Sequence, residues 1–216
     1  MSQNTVHAVN TGRRAGLDQA DMVAVALRLV ESGGPDALTM RRLAAELDVT
    51  TNTVYWHVGS RDELIAEVIR TRSMQMATRE VVGTTARERV VSAARNVWDS
   101  AFANRAVTSL AHQSGTTALL EHPLEVALAH EIEAAGLTGN DAAHALRSIL
   151  STVGGFLVGA LRDESAIPAN LRAPALWSKT KAGLDAETVD ALSEPIDHAS
   201  VFATTLDAVV AASIPA

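Results

Sequence analysis

The chain has 216 residues, of which 47% are hydrophobic and 20% are charged, and this balance excludes an intrinsically disordered protein. It has no cysteine, which excludes disulfide bonds, thiolate metal sites and a cysteine nucleophile. Aromatic residues make up only 3%, and such a composition favours helices packed on helices over strands. We expect neither a signal peptide nor a membrane span, and the expected compartment is the cytoplasm.

The net charge of −7 is unevenly distributed along the chain. Up to residue 61, six arginines balance six acidic residues, whereas 12 of the 18 basic and 19 of the 25 acidic residues follow. An acidic total therefore does not exclude a DNA-binding surface near the N-terminus, because local charge determines the attraction to phosphates. The six arginines are Arg13, Arg14, Arg28, Arg41, Arg42 and Arg61.

Apolar residues recur at helical spacing through most of the chain, and no segment alternates as a strand would. The first predicted helix begins at Asp18 and ends at Gly33-Gly34, and Thr39 caps a short second one. Thr50 or Thr51 begins a third, which ends near Trp56. A capping box formed by Ser60 and Glu63 opens a long fourth helix that runs to about Val82. Further helices are predicted at 86–103, 105–112, 117–135, 139–164, 176–192 and 196–213, with a possible kink or break at His122-Pro123.

The segment from Thr39 to His57 predicts a helix-turn-helix. Two short helices flank a turn of three or four residues, and the small residues Ala44 and Ala45 are expected to face inward where the helices cross. The outward face of the second helix presents an unusual surface for solvent, with two aromatic rings and an imidazole. Base edges, thymine methyls and phosphates suit such groups, so we expect this helix to bind DNA. Its outward residues are Thr51, Asn52, Tyr55, Trp56 and His57.

The runs from Leu38 to Ala44 and from Thr53 to Leu64 closely resemble the tetracycline-repressor-like (TetR) family, and most of all its tetracycline-repressor branch. The resemblance implies an all-α fold with an N-terminal three-helix DNA-binding domain and a larger C-terminal helical bundle that forms a dimer. It implies a regulator, most simply a repressor, which a small molecule releases from a palindromic operator. The expected parts are a flexible arm at 1–17, a DNA-binding domain at 18–62 and a sensing and dimerisation domain at 63–216.

The resemblance also implies roles for individual residues of the DNA-binding domain. Arg41 donates to a guanine edge or to a phosphate, while Arg61 binds a phosphate at the start of the fourth helix. Two departures, Met40 in place of a small polar residue and Asn52 in place of proline, leave the operator sequence open. The remaining implied contacts are Thr51 and Asn52 to bases, Tyr55 and His57 to phosphates, and Trp56 at the boundary between them, with Thr39 also at the interface.

Several of these residues have simpler interpretations. Tyr55 and Trp56 could pack against neighbouring helices instead of facing DNA. Arg13 and Arg14 could form an arm in the minor groove or belong to a tail that contacts nothing.

Two apolar stripes on the 139–164 helix predict that it is covered on two faces, one by its own chain and one by a partner subunit. The glycines at 154, 155 and 159 are unfavourable inside a helix, and close helix approach is a reason for them. The alternative is that the stripes are internal core only. The expected dimer seam consists of Leu146, Ile149, Val153, Phe156, Phe202, Leu206 and Val210.

The effector pocket is the least determined feature. Trp98 and Phe102 lie four residues apart on one helix face, which suits a ring-binding wall and equally suits plain core. No metal site and no cofactor are expected, and the identity of the effector stays open. Candidate lining residues are Trp98, Phe102, His112, Gln113, Leu119, His130 and Phe156.

Two other functions compete with a ligand-released repressor. An enzyme would need a nucleophile with its base, a carboxylate pair or a phosphate-binding loop, and the sequence offers none of these patterns. A transcriptional activator would use the same DNA-binding surface, and the sequence does not distinguish it from a repressor.

Overall fold

The computed structural model describes residues 18–160, 167–180 and 183–215. Within these ranges the regular secondary structure consists of helices, with no strand. The expected all-α fold is therefore confirmed. Short 3-10 turns lie at Pro35–Ala37 and Ala169–Leu171. The α-helices are α1 (Gln19–Gly33), α2 (Met40–Glu46), α3 (Thr51–Val58), α4 (Arg61–Met76), α5 (Ala86–Ala103), α6 (Arg105–Gln113), α7 (Thr117–Ala134), α8 (Gly139–Ala160), α9 (Ala173–Trp177), α10 (Ala186–Leu192) and α11 (His198–Ser213).

These helices form two compact units. The first contains the described residues up to Gln75 together with Ala106–Glu121, and the second contains Met76–Arg105 and the described residues from His122 onward. The helix α4 thus belongs with α1, α2 and α3, apart from its last residue.

The first unit has a core of large aliphatic side chains drawn from its short helices. Met22 of α1, Leu43 of α2, Val54 of α3 and Val68 of α4 are completely buried. Such burial contributes roughly 1.5–3 kcal/mol per large aliphatic side chain, and it holds together helices that are too short to be stable alone.

The second unit is organised by α11, which packs chiefly on α8, while both also contact α5. Ile149 and Val153 of α8 and Leu206 and Val210 of α11 are at most 1% exposed. None of the described helices is long and apolar enough to cross a membrane.

Several sequence expectations are corrected. The fourth helix ends at Met76 and not near Val82, because side chains of α5 bind the backbone that follows. The predicted 176–192 helix is two short helices, and Gly183, at a φ of 72°, lies between them. Pro123 does not split α7.

Ala44 is buried as expected, but Ala45 is exposed. The predicted arm, with Arg13 and Arg14, and residues 161–164 of the predicted 139–164 helix lie outside the described residues.

Candidate nucleic-acid interface

Local signals determine where α3 begins and which face it presents. Thr50 caps its N-terminus by accepting a hydrogen bond from the Thr53 amide at 3.2 Å. Gly59 ends the helix with a φ of 70°, a conformation that favours glycine. Val54 and Val58 are buried, so the opposite side of α3 faces solvent.

The aromatic residues of α3 lie on that outward face. Trp56 is 81% exposed and Tyr55 is 49% exposed. The Trp56 ring meets His57 edge to face, with ring centroids 4.7 Å apart. Tyr55 and Trp56 therefore do not pack inside the domain, which was the alternative interpretation. Such large exposed rings indicate a surface that binds something.

The other predicted contact residues are also accessible. Arg41 on α2, Asn52 on α3 and Arg61 at the start of α4 are exposed, while Thr51 and His57 are partly buried. Thr39 is exposed too, and its hydroxyl accepts the Arg42 amide at 3.1 Å to cap α2. All eight residues of the predicted interface thus have side chains that a ligand could reach.

Two reciprocal hydrogen bonds between Ser60 and Glu63 hold the start of α4 directly after the end of α3. The Glu63 carboxylate accepts the Ser60 amide at 2.6 Å, and the Ser60 hydroxyl accepts the Glu63 amide at 3.2 Å, as the predicted capping box requires. These bonds to Ser60 hold the pKa of Glu63 below its usual value. A Cβ at Gly59 would lie 2.2 Å from Glu63 Oε2, and the φ of 70° there also favours glycine. Arg61 is consequently held at a fixed place beside the end of α3.

The sequence analysis missed two features of this unit. Asp48, in the turn between α2 and α3, has a φ of 52°, the only left-handed non-glycine residue among those described. An aspartate between two short helices was the available signal, since aspartate tolerates this conformation better than most residues. Arg72 of α4 forms an ion pair with Glu31 of α1, which no local pattern indicates. Met40, which departs from the family pattern, is buried and does not face outward.

The aromatic residues predicted for the effector pocket form a ring cluster in the second unit. Trp98 stacks on Phe202 with centroids 4.2 Å apart and contacts Phe102 at 4.7 Å. Phe156 meets Phe202 edge to face at 5.7 Å. One face of Trp98 is therefore covered by the chain itself, and Phe102, at 36% exposed, is the more accessible ring of the pair.

The remaining candidates for that pocket are spread over the two units. His112 and Gln113 lie at the end of α6 and are exposed, and Leu119 on α7 is partly buried. These three belong to the first unit. His130 belongs to the second unit and is exposed. A shared pocket for these residues stays a prediction.

The residues predicted for the dimer seam are mostly core. Leu146 and Phe156 are partly buried, and the other five are at most 2% exposed within one chain. The side chains of the other five lie where α8, α11 and α5 pack together, so their own chain already covers them. The five buried residues are Ile149, Val153, Phe202, Leu206 and Val210.

A different face of α8 and α11 is open. Val158 is 71% exposed and Val201 is 47% exposed. Between the two helices lies a groove of about 430 Å³, lined by Gly155, Phe156, Val201 and others. This face, which includes Phe156 of the predicted seam, is open within one chain.

The helices α2 and α3 and the outward face of α3 define a helix-turn-helix. Residues 22–68 match the model of the family described as "Bacterial regulatory proteins, tetR family". The chain is also 39% identical over 51 residues to the tetracycline repressor protein class E of Escherichia coli. That match covers 24% of each protein, so the chain spans about a quarter of the curated relative that it matches. Residues 22–68 are therefore similar to the DNA-binding domain of TetR-family regulators.

Solved structures extend the likeness to nearly the whole chain. ActR of Streptomyces coelicolor, solved with actinorhodin, has a TM-score of 0.67 and 25% identity, covering 92% of this chain and 97% of ActR. BioQ of Mycobacterium smegmatis has a TM-score of 0.60 and 26% identity, covering 91% and 97%. BioQ with its double-stranded DNA operator has a TM-score of 0.54 and 26% identity, covering 83% and 100%. The chain as a whole thus has the fold of TetR regulators.

Proposed function

We propose that this chain is a ligand-responsive, DNA-binding transcriptional regulator: a repressor that a small molecule releases from a palindromic operator. The observation that carries the proposal is the exposure of Trp56, 81%, on the outward face of a capped helix in a TetR-family domain. A helix of this kind enters the major groove, where an aromatic edge contacts thymine methyls and the sugar-phosphate backbone. The operator-bound structure of BioQ supports this use of the fold.

The residue roles at the DNA follow from position and chemistry. Arg41 reads a guanine edge or contacts a phosphate, and Arg61, held by the α3–α4 junction, contacts a phosphate. Thr51 and Asn52 are placed for base contacts, while Tyr55 and His57 are placed for the backbone. With the charge of the first 61 residues balanced, binding depends on these few arginines and not on the net charge.

The regulator acts as a homodimer, which a palindromic operator requires. Gly154 and Gly155 support a seam on the open face of α8, because a Cβ at either position would meet no described atom within 4 Å. Each glycine costs about 1 kcal/mol relative to alanine inside a helix. Since nothing described within the chain requires them, close approach of a partner helix is the physical reason we assign to them.

The effector binds to the part of the chain that follows the DNA-binding domain. ActR bound to actinorhodin is a related fold with a small molecule in place, and it supports a sensing role for this part of the chain. The ring cluster around Trp98 is the candidate wall, with Phe102 as its accessible ring. Because Phe202 already covers Trp98, an effector contacts the cluster at Phe102 or displaces a ring.

The coupling between effector and DNA passes through α4. Leu64, Ile65 and Val68 are buried in the first unit, and the Ser60–Glu63 cap joins α4 to α3 without a linker. A shift of α4 therefore moves the recognition helix with it and changes the distance between the two recognition helices of a dimer. Structures of the DNA-bound and ligand-bound forms with equal distances between recognition helices would contradict this mechanism.

We assign no enzymatic role to the chain. The family that its N-terminal domain matches consists of regulatory proteins. Such a regulator acts where bacterial DNA lies, in the cytoplasm.

The test is selection of bound sequences from random duplex DNA at moderate salt. We expect a palindromic consensus with half-sites about one helical turn apart. Trp56→Ala should abolish the enrichment, whereas Trp177→Ala, a matched change at a partly buried tryptophan of α9, should leave the consensus unchanged. An unenriched pool with the wild-type protein, repeated after removal of small molecules by denaturation and refolding, would contradict the proposal.

A further inference from the structure

A short segment without regular secondary structure follows α4 and opens the second unit. We call residues 79–83 the strap. Its last residue, Gly83, has a φ of 139°, and a Cβ there would lie 2.7 Å from the Cβ of Glu88. Glycine at this position therefore allows the strap to lie close to the N-terminal turn of α5.

Three side chains on one face of α5 bind the strap by its backbone. Their spacing of three and four residues places them on successive turns of the helix. Because backbone groups of Glu80, Val81 and Val82 make these bonds, these three positions do not depend on their own side chains for them. The bonds are Asn96 Nδ2 to Glu80 O at 3.0 Å, Val82 N to Ser92 Oγ at 3.0 Å, and Arg89 Nη1 to Val81 O at 3.5 Å.

Arg89 also binds α7. Its Nε donates to Glu131 Oε2 at 2.7 Å and its Nη2 donates to Glu131 Oε1 at 2.6 Å. This bidentate pair raises the pKa of Arg89. The Glu131 side chain is only 15% exposed, and its neighbours Leu128 and Ile132 on α7 are completely buried, so α7 determines where the carboxylate lies.

The guanidinium therefore makes three bonds through three different nitrogens of one rigid plane. Two of these bonds go to α7 and one goes to the strap. Because one planar group makes both contacts, a displacement of the Glu131 carboxylate that Arg89 follows also moves the donor that meets Val81 O.

We propose that Arg89 is a positioning residue that transmits movements of α7 to the strap, and through the strap to the end of α4. The inference rests on the proposed function, since it assigns residues to the coupling between the sensing part of the chain and the DNA-binding helices. In the ligand-free protein the Glu131–Arg89–Val81 connection holds the strap in the position that favours DNA binding. A ligand that shifts α7 changes this position without touching α4.

The experiment compares Arg89→Lys, Glu131→Gln and the double variant with the wild-type protein. Lysine keeps the charge but cannot make the bidentate pair and the carbonyl bond together. The matched control is Arg95→Lys, since Arg95 lies on the same helix and is paired with Asp207 of α11, 4.0 Å away. The measurements are amide exchange of a peptide spanning residues 77–84, affinity for the selected operator duplex, and the melting temperature.

We expect both single variants to accelerate exchange in the strap and to lower operator affinity by about fivefold, the lower end of typical allosteric coupling. The double variant should equal either single variant, because the pair acts as one connection. Arg95→Lys should change neither the amide exchange of the strap nor the operator affinity. Ser92→Ala, which releases the strap without touching α7, should also lower operator affinity, and it keeps the test available if a variant at the ion pair fails to fold.

The outcomes separate this inference from the proposed function. If the wild-type protein selects no operator, the proposed function fails and the inference falls with it. If the wild-type protein binds its operator and the variants loosen the strap at unchanged affinity, the inference alone fails. Additive losses in the double variant would also overturn it, since Arg89 and Glu131 would then act separately.

Discussion

Different kinds of interaction determine the structures of the two units of this chain: local capping signals in the first and packing of distant helices in the second. In the first unit, helix ends coincide with local signals such as the Thr39 and Thr50 caps and the left-handed Gly59. In the second, α8 and α11 pack together although they are far apart in the sequence. Nothing in the sequence of their apolar residues indicates which helix packs against them. Short capped helices and their outward faces can therefore be located from the sequence. A surface between long helices requires the packing.

The strongest test of this comparison is Ile149→Ala. Ile149 is completely buried within one chain, so its truncation should lower the free energy of unfolding by about 2–5 kcal/mol. Leu184→Ala, at a leucine that is 49% exposed, removes a similar volume and should cost about 0.5 kcal/mol or less. Urea denaturation measures both. If the loss at Ile149 instead depends strongly on protein concentration, the residue contacts a partner, as the sequence first suggested.

The recognition surface of the first unit is tested by Arg41→Ala. If Arg41 reads a guanine, the variant should lose about 1–3 kcal/mol of binding to the selected operator and little on random duplex. Arg61→Ala is the comparison, because loss of a phosphate contact should weaken all sequences alike and lower the salt slope by about one. Fluorescence anisotropy across a salt series gives both quantities. Equal losses for Arg41→Ala on operator and random DNA would make Arg41 a phosphate contact.

A smaller effect is expected at the turn between α2 and α3. Asp48 has a φ of 52°, and glycine adopts this conformation without strain, so Asp48→Gly should raise the free energy of unfolding by about 0.5 kcal/mol. Asp48→Asn should leave stability nearly unchanged, because asparagine tolerates the left-handed region as aspartate does. Thermal unfolding of the three proteins compares them. Destabilisation by glycine would show that the Asp48 side chain itself makes a stabilising contact.

The smallest effect concerns pH and the cap of α5. Hydrogen bonds from the Thr84 hydroxyl and from the Thr85 and Thr84 amides lower the pKa of Glu88 from 4.5 to about 2. A depressed pKa contributes stability that is fully present above pH 4.5 and is lost as the pH falls toward 2. Glu88→Gln should therefore flatten the decline of stability in this window.

The control for that prediction is Glu133→Gln, at an exposed glutamate of α7. Denaturant titrations at several pH values below 5 should show the flatter decline for Glu88→Gln only. An equal flattening in both variants would mean that overall charge, and not the cap, causes the acid sensitivity.

Sequence reasoning located the helices of the predicted helix-turn-helix because their determinants are short-range. Thr39, Thr50, Ser60 and Glu63 act on backbone groups within three residues, so their spacing alone indicates where helices begin. The outward position of Trp56 followed from the same periodicity, with Val54 and Val58 inward. These features needed no knowledge of the rest of the chain.

Sequence reasoning failed where contacts are long-range. Apolar spacing on α8 does not distinguish a stripe that packs on α11 from one that packs on a partner, because burial depends on which helix arrives there. The end of α4 was placed too late, since the strap is held by Arg89, Ser92 and Asn96, which come later in the chain.

The amino-acid sequence by itself determined the helical class, the position of α3 and its cap, because local hydrogen bonds and helical periodicity act between near neighbours. The tertiary structure alone decided which residues of α8 and α11 form core, how Trp98 and Phe202 stack, and how Glu131 reaches the strap through Arg89. These contacts join residues distant in sequence, and only the packed helices bring them within bonding distance.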